Sequence, residues 1–175
     1  THMVNVSILT MAQARTLGVE GHQLRALGLA ALLHDIGKVR APLEILNKPA
    51  ALTPAEFAIM KRHTTDGATI LRATPEMPRL AAIVAFEHHL RPDGTGYPTG
   101  LTRETINVAT VLCAIADTYD AMRSKRIYSS PYPAERIVSI MTGNDGSAFD
   151  KHLVRRFIDL MGVFPPGSLV RLASG

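Results

Sequence analysis

The sequence predicts an all-α fold, a bundle of about seven helices joined by long loops. Three observations carry this. Hydrophobic residues make up 46% of the chain and aromatics only 5%, with no tryptophan. Ala, Leu, Ile and Met therefore supply the core, and they favour helix packing over a β-sandwich. Apolar residues recur at helical spacing, and helix start and stop signals divide the chain into segments of ordinary helical length. At 175 residues the chain suits one domain with a full core.

The first predicted helix runs from Val4 to Leu17, its spacing resting on Val4, Ile8, Met11 and Ala12 and its stop on Gly18. The second runs from about His22 to His34 and ends near Gly37. Residues 39–52, with Pro42 and Pro49, read as a loop. Thr53-Pro54-Ala55-Glu56 is a capping box with proline at the first helical position, and it starts a helix to about Leu71. Pro75 and Pro78 break the chain before a helix from Arg79 to His89. Residues 91–102 form a loop. Ile106 to Met122 is a long apolar helix, and Pro133 to Met141 another that ends near Gly143. Asp150 caps a last helix to Met161. The Pro165-Pro166-Gly167 turn is expected to close a short hairpin in residues 163–172 or to leave an extended tail.

Charge and cysteine content narrow the function classes. The formal charge is +4 and the pI about 9.5, which favours an anionic ligand but is too weak to argue for DNA. Cys113 stands alone, which excludes a disulfide within the chain and a cysteine zinc site. A reducing, cytoplasmic setting is expected. The longest apolar run, Leu24 to Leu33, is too short and interrupted to span a bilayer.

The chemistry concentrates in histidines and aspartates. His34-Asp35 ends a strongly apolar segment in LLHDIGK, His63 lies on the capped helix in KRHTTDGATIL, and His88-His89 close another helix. Asp117 lies in the apolar run VLCAIADTYDAM, where a carboxylate is costly without a partner. Singly, each has a plainer reading. His34 or His63 could be an ordinary interface residue, His88 core with His89 in solvent, and Asp117 paired with an arginine. Together, in one helical chain, they form what a metal site between bundle helices requires. Imidazole and carboxylate without thiolate suit Mn, Fe, Co, Ni or Zn, with an octahedral redox-capable ion favoured over structural zinc. His22 and His152, on polar segments, are expected to be exposed. In the loop after the histidine pair, Gly94 and Gly96 permit positive φ and Pro98 stiffens the exit. That loop could be a connector or a pocket wall.

The motifs LLHDIGK (32–38), ILNKPAALTPAEFAIMKRHTTDGATIL (45–71), HHLRPDGTGYPTGL (88–101), ADTYDAMRSKRIY (116–128) and FDKHLVRRFIDLMGVFPPGSLVRL (149–172) cover nearly the whole chain. In this order and spacing they resemble the HD-GYP domain, a helical-bundle subfamily of the HD-superfamily metal-dependent phosphohydrolases that hydrolyses cyclic di-GMP. The resemblance implies one catalytic domain over residues 1–175, cut from a longer protein with an N-terminal sensory or receiver domain. It implies two divalent ions, Fe or Mn, with a third in members that carry a glutamate one turn before the first ligand histidine. His2, His34, Asp35 and Asp117 would hold one ion. Asp35, His63, His88 and His89 would hold the other, with Asp35 bridging. Thr1-His2-Met3 could also be a tag remnant, but the spacing from His2 to Gly18 fits the family's opening helix.

By the same resemblance Lys38 contacts the scissile phosphate, Tyr97 touches substrate on a wall with Gly96 and Pro98, and Arg126 binds a phosphate or guanine. Arg91 and Asp93 brace the loop. Two ions about 3.5–4 Å apart can share a deprotonated water and clamp a phosphodiester for in-line attack. The expected reaction is hydrolysis of cyclic di-GMP to pGpG, with further cleavage to GMP left open. Two other readings stand beside it: a catalytically weak sensor that binds GGDEF partners through the GYP region, and an HD hydrolase of another cyclic dinucleotide such as cyclic GMP-AMP. A homodimer is a further expectation. Leu90 replaces the family's usual glutamate after the paired histidines, and Ser129 a common basic residue. Both departures bear on substrate affinity and choice.

Overall fold

The computed structural model describes residues 1–99, 106–124, 131–143 and 146–162, and among them the regular structure is entirely helical. In chain order it comprises α1 (His2–Thr16), α2 (Gly21–Leu32), a 3₁₀ helix (Ile36–Arg40), α3 (Leu43–Leu46), α4 (Pro54–Lys61), α5 (His63–Ala73), α6 (Arg79–Glu87), α7 (Val108–Arg123), α8 (Ala134–Thr142) and α9 (Lys151–Met161). Every predicted helix has a counterpart. The surplus has two sources: α3 is a single turn inside the expected 39–52 loop, and the helix expected over 53–71 is two, divided at Arg62. The tail of residues 163–172, Arg126 and Ser129 lie outside the described residues.

The division at Arg62 follows from local side-chain competition for carbonyls. His63 Nδ1 donates to the Met60 carbonyl at 2.7 Å, Thr64 Oγ1 to Lys61 at 3.1 Å and Thr65 Oγ1 to Arg62 at 2.9 Å. Three consecutive side chains thus offer the backbone an alternative to a straight helical ladder. The expected capping box is present. Thr53 Oγ1 accepts from the Glu56 N–H at 3.3 Å, and Glu56 Oε2 accepts from the Thr53 N–H at 2.7 Å. Asp150 caps α9 by accepting from the His152 and Leu153 N–H groups. Asn107, not singled out by the sequence, caps α7 by accepting from the Ala109 N–H.

α1 lies against α2 and α7, α6 against α2, α5 and α7, and the 3₁₀ helix along α5. The face that α1 buries differs from the expected one. Val4 and Ile8 are 50% and 55% exposed, while Val6, Ser7, Thr10, Gln13 and Ala14 are buried. Polar groups can face inward here because the neighbouring backbones receive them. Ser7 Oγ donates to the Gly28 carbonyl at 2.7 Å and Gln13 Nε2 to the Leu112 carbonyl at 3.0 Å.

The core between these helices is rich in alanine: Ala14, Ala30, Ala31, Ala81, Ala82, Ala85, Ala109 and Ala116. Small side chains let helix axes approach closely. A second core of larger residues, including Ile115, Ile137, Met141 and Phe149, holds α8 and α9 against α7. There the rings of Tyr119 and Phe157 meet edge to face at 5.0 Å. Burying a side chain such as Phe157 stabilises by about 1.5–3 kcal/mol. No helix among the described residues is long and apolar enough to cross a membrane.

Candidate metal centre

The close helix packing brings residues far apart in sequence to one place. α2 ends at Leu32, so His34 and Asp35 stand in the turn that leads into the 3₁₀ helix. That short helix rests directly on the start of α5, where a Cβ added to Gly37 would lie 1.9 Å from the His63 carbonyl oxygen. Glycine is the residue that permits this approach, and the approach puts Asp35 beside His63. α6 ends at Glu87, so His88 and His89 fall at its exit. Glu87 fixes that end by accepting from the Asn107 N–H at 3.0 Å and the Thr110 hydroxyl at 2.9 Å, both at the start of α7.

Asp35 stands between two histidine sets. Its Oδ1 lies 3.4 Å from His63 Nε2 and 3.7 Å from His88 Nε2, and its Oδ2 lies 3.4 Å from His34 Nε2. Donor atoms of Asp35, His63, His88 and His89 all lie within 4.8 Å of one another, as do those of His2, His34 and Asp35. Asp117 adjoins the second set, with Oδ1 at 3.1 Å from His2 Nε2 and 3.9 Å from His34 Nε2. Lys38, one turn beyond Asp35, donates to Asp35 Oδ2.

The histidines are held in a defined tautomer. Nδ1 donates to a backbone carbonyl one turn back in three of them: His34 to Ala31 at 2.7 Å, His63 to Met60 at 2.7 Å and His88 to Ala85 at 2.9 Å. Nε2 of each is left as a lone pair aimed at the cluster. The electrostatics differ between the two sets: against its burial, the Asp35 carboxylate raises the His34 pKa, and the Asp117 carboxylate raises that of His2. Burial pushes the His63 pKa down to about 4 and that of His89 to about 2. Both are thus neutral near pH 7, as metal ligation requires. Burial would raise the Asp35 pKa, but the adjacent His34 and His88 rings and the Lys38 ammonium hold it far below the carboxylate range. Asp117 is likewise held down at about 2 against its burial, by His2 and the nearby imidazoles of His34 and His88.

These residues fit divalent metal ions. The facing Nε2 atoms of His63 and His88 are 3.2 Å apart. With both protons on Nδ1, their lone pairs repel unless a cation takes the space between them. Among the described residues, His34 Nε2 and Asp35 Oδ1 are buried without a hydrogen-bond partner. Buried polar atoms in that state call for an explanation, and a shared ion supplies one. Nitrogen and carboxylate donors without sulfur suit a first-row transition ion.

The family model described as HD domain matches residues 3–153. The chain belongs to the HD-domain family, of the HD-GYP type. A cyclic di-GMP phosphodiesterase of Pseudomonas aeruginosa is 42% identical over 99% of this HD-GYP chain and 42% of its own length. A 3′3′-cGAMP-specific phosphodiesterase of Vibrio cholerae is 33% identical over 90% of this chain and 30% of its own. The chain thus spans less than half the length of these relatives. An HDG"Y"P protein from Bdellovibrio bacteriovorus has the same fold, with a TM-score of 0.73 and 24% identity over 91% of this chain and 51% of that one.

The GYP loop of this HD-GYP domain folds back over the histidine pair. The Tyr97 N–H donates to the His89 carbonyl at 3.1 Å, and the Tyr97 ring lies 4.5 Å from that of His89. Gly96 crosses so close that a Cβ there would lie 2.2 Å from the His89 carbonyl oxygen. Pro98 follows it, half-buried. Asp93 braces the loop, accepting from the Thr95 N–H at 2.9 Å and its hydroxyl at 2.7 Å. Arg91 stacks over Phe149 at 4.5 Å. Leu90 turns away from the metal cluster; it is 6% exposed and lines an apolar pocket with Val111, Ala114 and Phe149. His22 and His152 are exposed, as expected. Asp120 escaped the sequence reading. It lies one turn after Asp117, is buried, and its Oδ2 accepts from His2 Nδ1 at 2.6 Å.

Proposed function

We propose that the chain is a metal-dependent phosphodiesterase that hydrolyses cyclic di-GMP to pGpG and on to GMP. The observation that carries this is Asp35, one carboxylate whose two oxygens face two histidine sets. Bound Fe or Mn ions would supply charge neutralisation at the phosphate and a water acidic enough to act as nucleophile near neutral pH. The protein's own part is to hold the donors ready. His34, His63 and His88 keep Nε2 free because Nδ1 is tied to the backbone. Asp35 serves both positions, with His2 and Asp117 completing one and His89 the other.

Lys38 places an ammonium at the edge of the cluster, 38% exposed, where it offsets charge that develops on a phosphate oxygen. Tyr97, held by Gly96 and followed by Pro98, forms the wall on the His89 side, and Arg126 is assigned to the substrate's phosphate or guanine. The name of the Pseudomonas relative supports cyclic di-GMP. That of the Vibrio relative supports a second substrate, cyclic GMP-AMP.

The test is a two-substrate assay on protein loaded with Mn or Fe, with products separated by chromatography. Cyclic di-GMP is expected to yield pGpG and then GMP, and His34→Ala and Asp35→Ala to abolish turnover. Metal-replete protein that leaves both substrates intact overturns the reading. Turnover of cyclic GMP-AMP alone transfers it to the second substrate.

A further inference from the structure

We propose that Asp120 is the positioning residue for His2, and that it sets the affinity of the His2–His34–Asp35 position for its ion while leaving the other position unaffected. This rests on the metal-centre reading above. His34, His63 and His88 orient their rings on the carbonyl three residues earlier in the chain. His2, on α1, is held by a side chain of another helix. Its Nδ1 instead meets a carboxylate from α7, Asp120 Oδ2, at 2.6 Å, while its Nε2 faces Asp117 at 3.1 Å.

Asp120 is itself fixed. Its Oδ1 accepts from Asn5 Nδ2 at 2.9 Å, and the Ser124 hydroxyl donates to Oδ2 at 3.3 Å. The side chain is 7% exposed, so its charge is little screened. A carboxylate behind a ligand imidazole fixes the tautomer and raises ligand basicity, and losing such a partner lowers metal affinity about 10–100-fold. Among the described residues only His2 has this partner in the two sets, so the effect belongs to one position. Asp120 also ties the start of α1 to α7 through Asn5, and that structural part must be separated from the electrostatic one.

Three proteins make the separation: wild type, Asp120→Asn and Asn5→Ala. Each is stripped of metal, titrated with Mn²⁺ against a chelating dye, and its ions counted by elemental analysis after dialysis. Asp120→Asn keeps an oxygen for the His2 N–H but loses the charge. It is expected to bind one ion as wild type does and the other about 10–100-fold more weakly. Asn5→Ala removes a strut but keeps the carboxylate, and is expected to retain both ions. Two wild-type affinities in Asp120→Asn overturn the proposal. So does equal weakening of both ions, or an Asp120→Asn apoprotein that melts well below wild type, since either marks a general structural role. A wild type that binds no ion sinks the metal reading itself.

Discussion

Gly37 lies where backbone meets backbone. An added Cβ would sit 1.9 Å from the His63 carbonyl oxygen and 2.5 Å from the Gly67 nitrogen, neither of which can turn aside as a side chain could. Gly67 across the contact is less confined, with 3.2 Å to its nearest neighbour. Gly37→Ala is therefore expected to cost about 3 kcal/mol, the upper end of ordinary overpacking, and Gly67→Ala clearly less. Urea unfolding of the two variants checks the order. Ion counts should fall with Gly37→Ala, because the same wedge separates Asp35 from His63. Equal midpoints for the two variants would contradict the packing argument. At this scale the sequence was legible where a residue type has few uses. Paired histidines, an HD dipeptide and an aspartate inside an apolar helix stand out as candidates, and the fold brings them together. Asp120 did not stand out, since an aspartate one turn from a candidate ligand, near the end of a helix, reads as a solvated residue until the start of α1 is placed against it.

Among the elements, α4 states its beginning most clearly, and its cap carries a pH dependence. Lys48 donates to both Glu56 carboxylate oxygens, at 2.8 and 2.6 Å, and the Thr53 N–H donates to one of them. Hydrogen bonding to Lys48 first, and then to Thr53, lowers the Glu56 pKa from 4.5 to about 2. A carboxylate depressed on folding stabilises above its unfolded pKa and loses that contribution as pH falls through the folded value. The stability gap between wild type and Glu56→Gln should thus be constant from neutral pH to about 4.5 and shrink below it, because protonated Glu and Gln then cap alike. Urea midpoints of metal-free protein at pH 6 and pH 3 measure this, and a gap unchanged at pH 3 would refute it. The cap was legible because its signature is local, as was Asp150 before α9. The break at Arg62 is also local, written in His63-Thr64-Thr65, but an unbroken apolar pattern hid it. The inward face of α1 was not legible. Its spacing favours Val4 and Ile8, whereas Ser7 and Gln13 go inside because carbonyls of α2 and α7 await them.

Across the whole molecule, the candidate centre ties together His2, on α1, and Asp117, on α7, with His34, Asp35, His63, His88 and His89 between them in sequence. At that junction the Nε2 atoms of His63 and His88 face each other 3.2 Å apart, and among the described residues His34 Nε2 and Asp35 Oδ1 have no hydrogen-bond partner. Ions that bind the folded arrangement and not the unfolded chain stabilise the fold by mass action, about 2.7 kcal/mol for an ion at 100 times its Kd. For a chain of this size that amounts to roughly 5–10 °C in melting temperature. Chelation of the metal-loaded protein should lower its melting temperature by that order, and added Mn²⁺ should restore it. Asp35→Ala, which removes the one donor common to both sets, should melt at the same temperature with and without chelator. The α8–α9 layer packs on α7 through its own apolar core and contributes no donor to either set. If it unfolds with the rest, chelation shifts one cooperative transition. If it is an independent unit, calorimetry shows a second transition that chelation leaves in place. A melting temperature that ignores chelator, in protein shown by elemental analysis to have lost its ions, would mean that the centre is assembled by the helices alone and that the ions serve chemistry without supporting the fold.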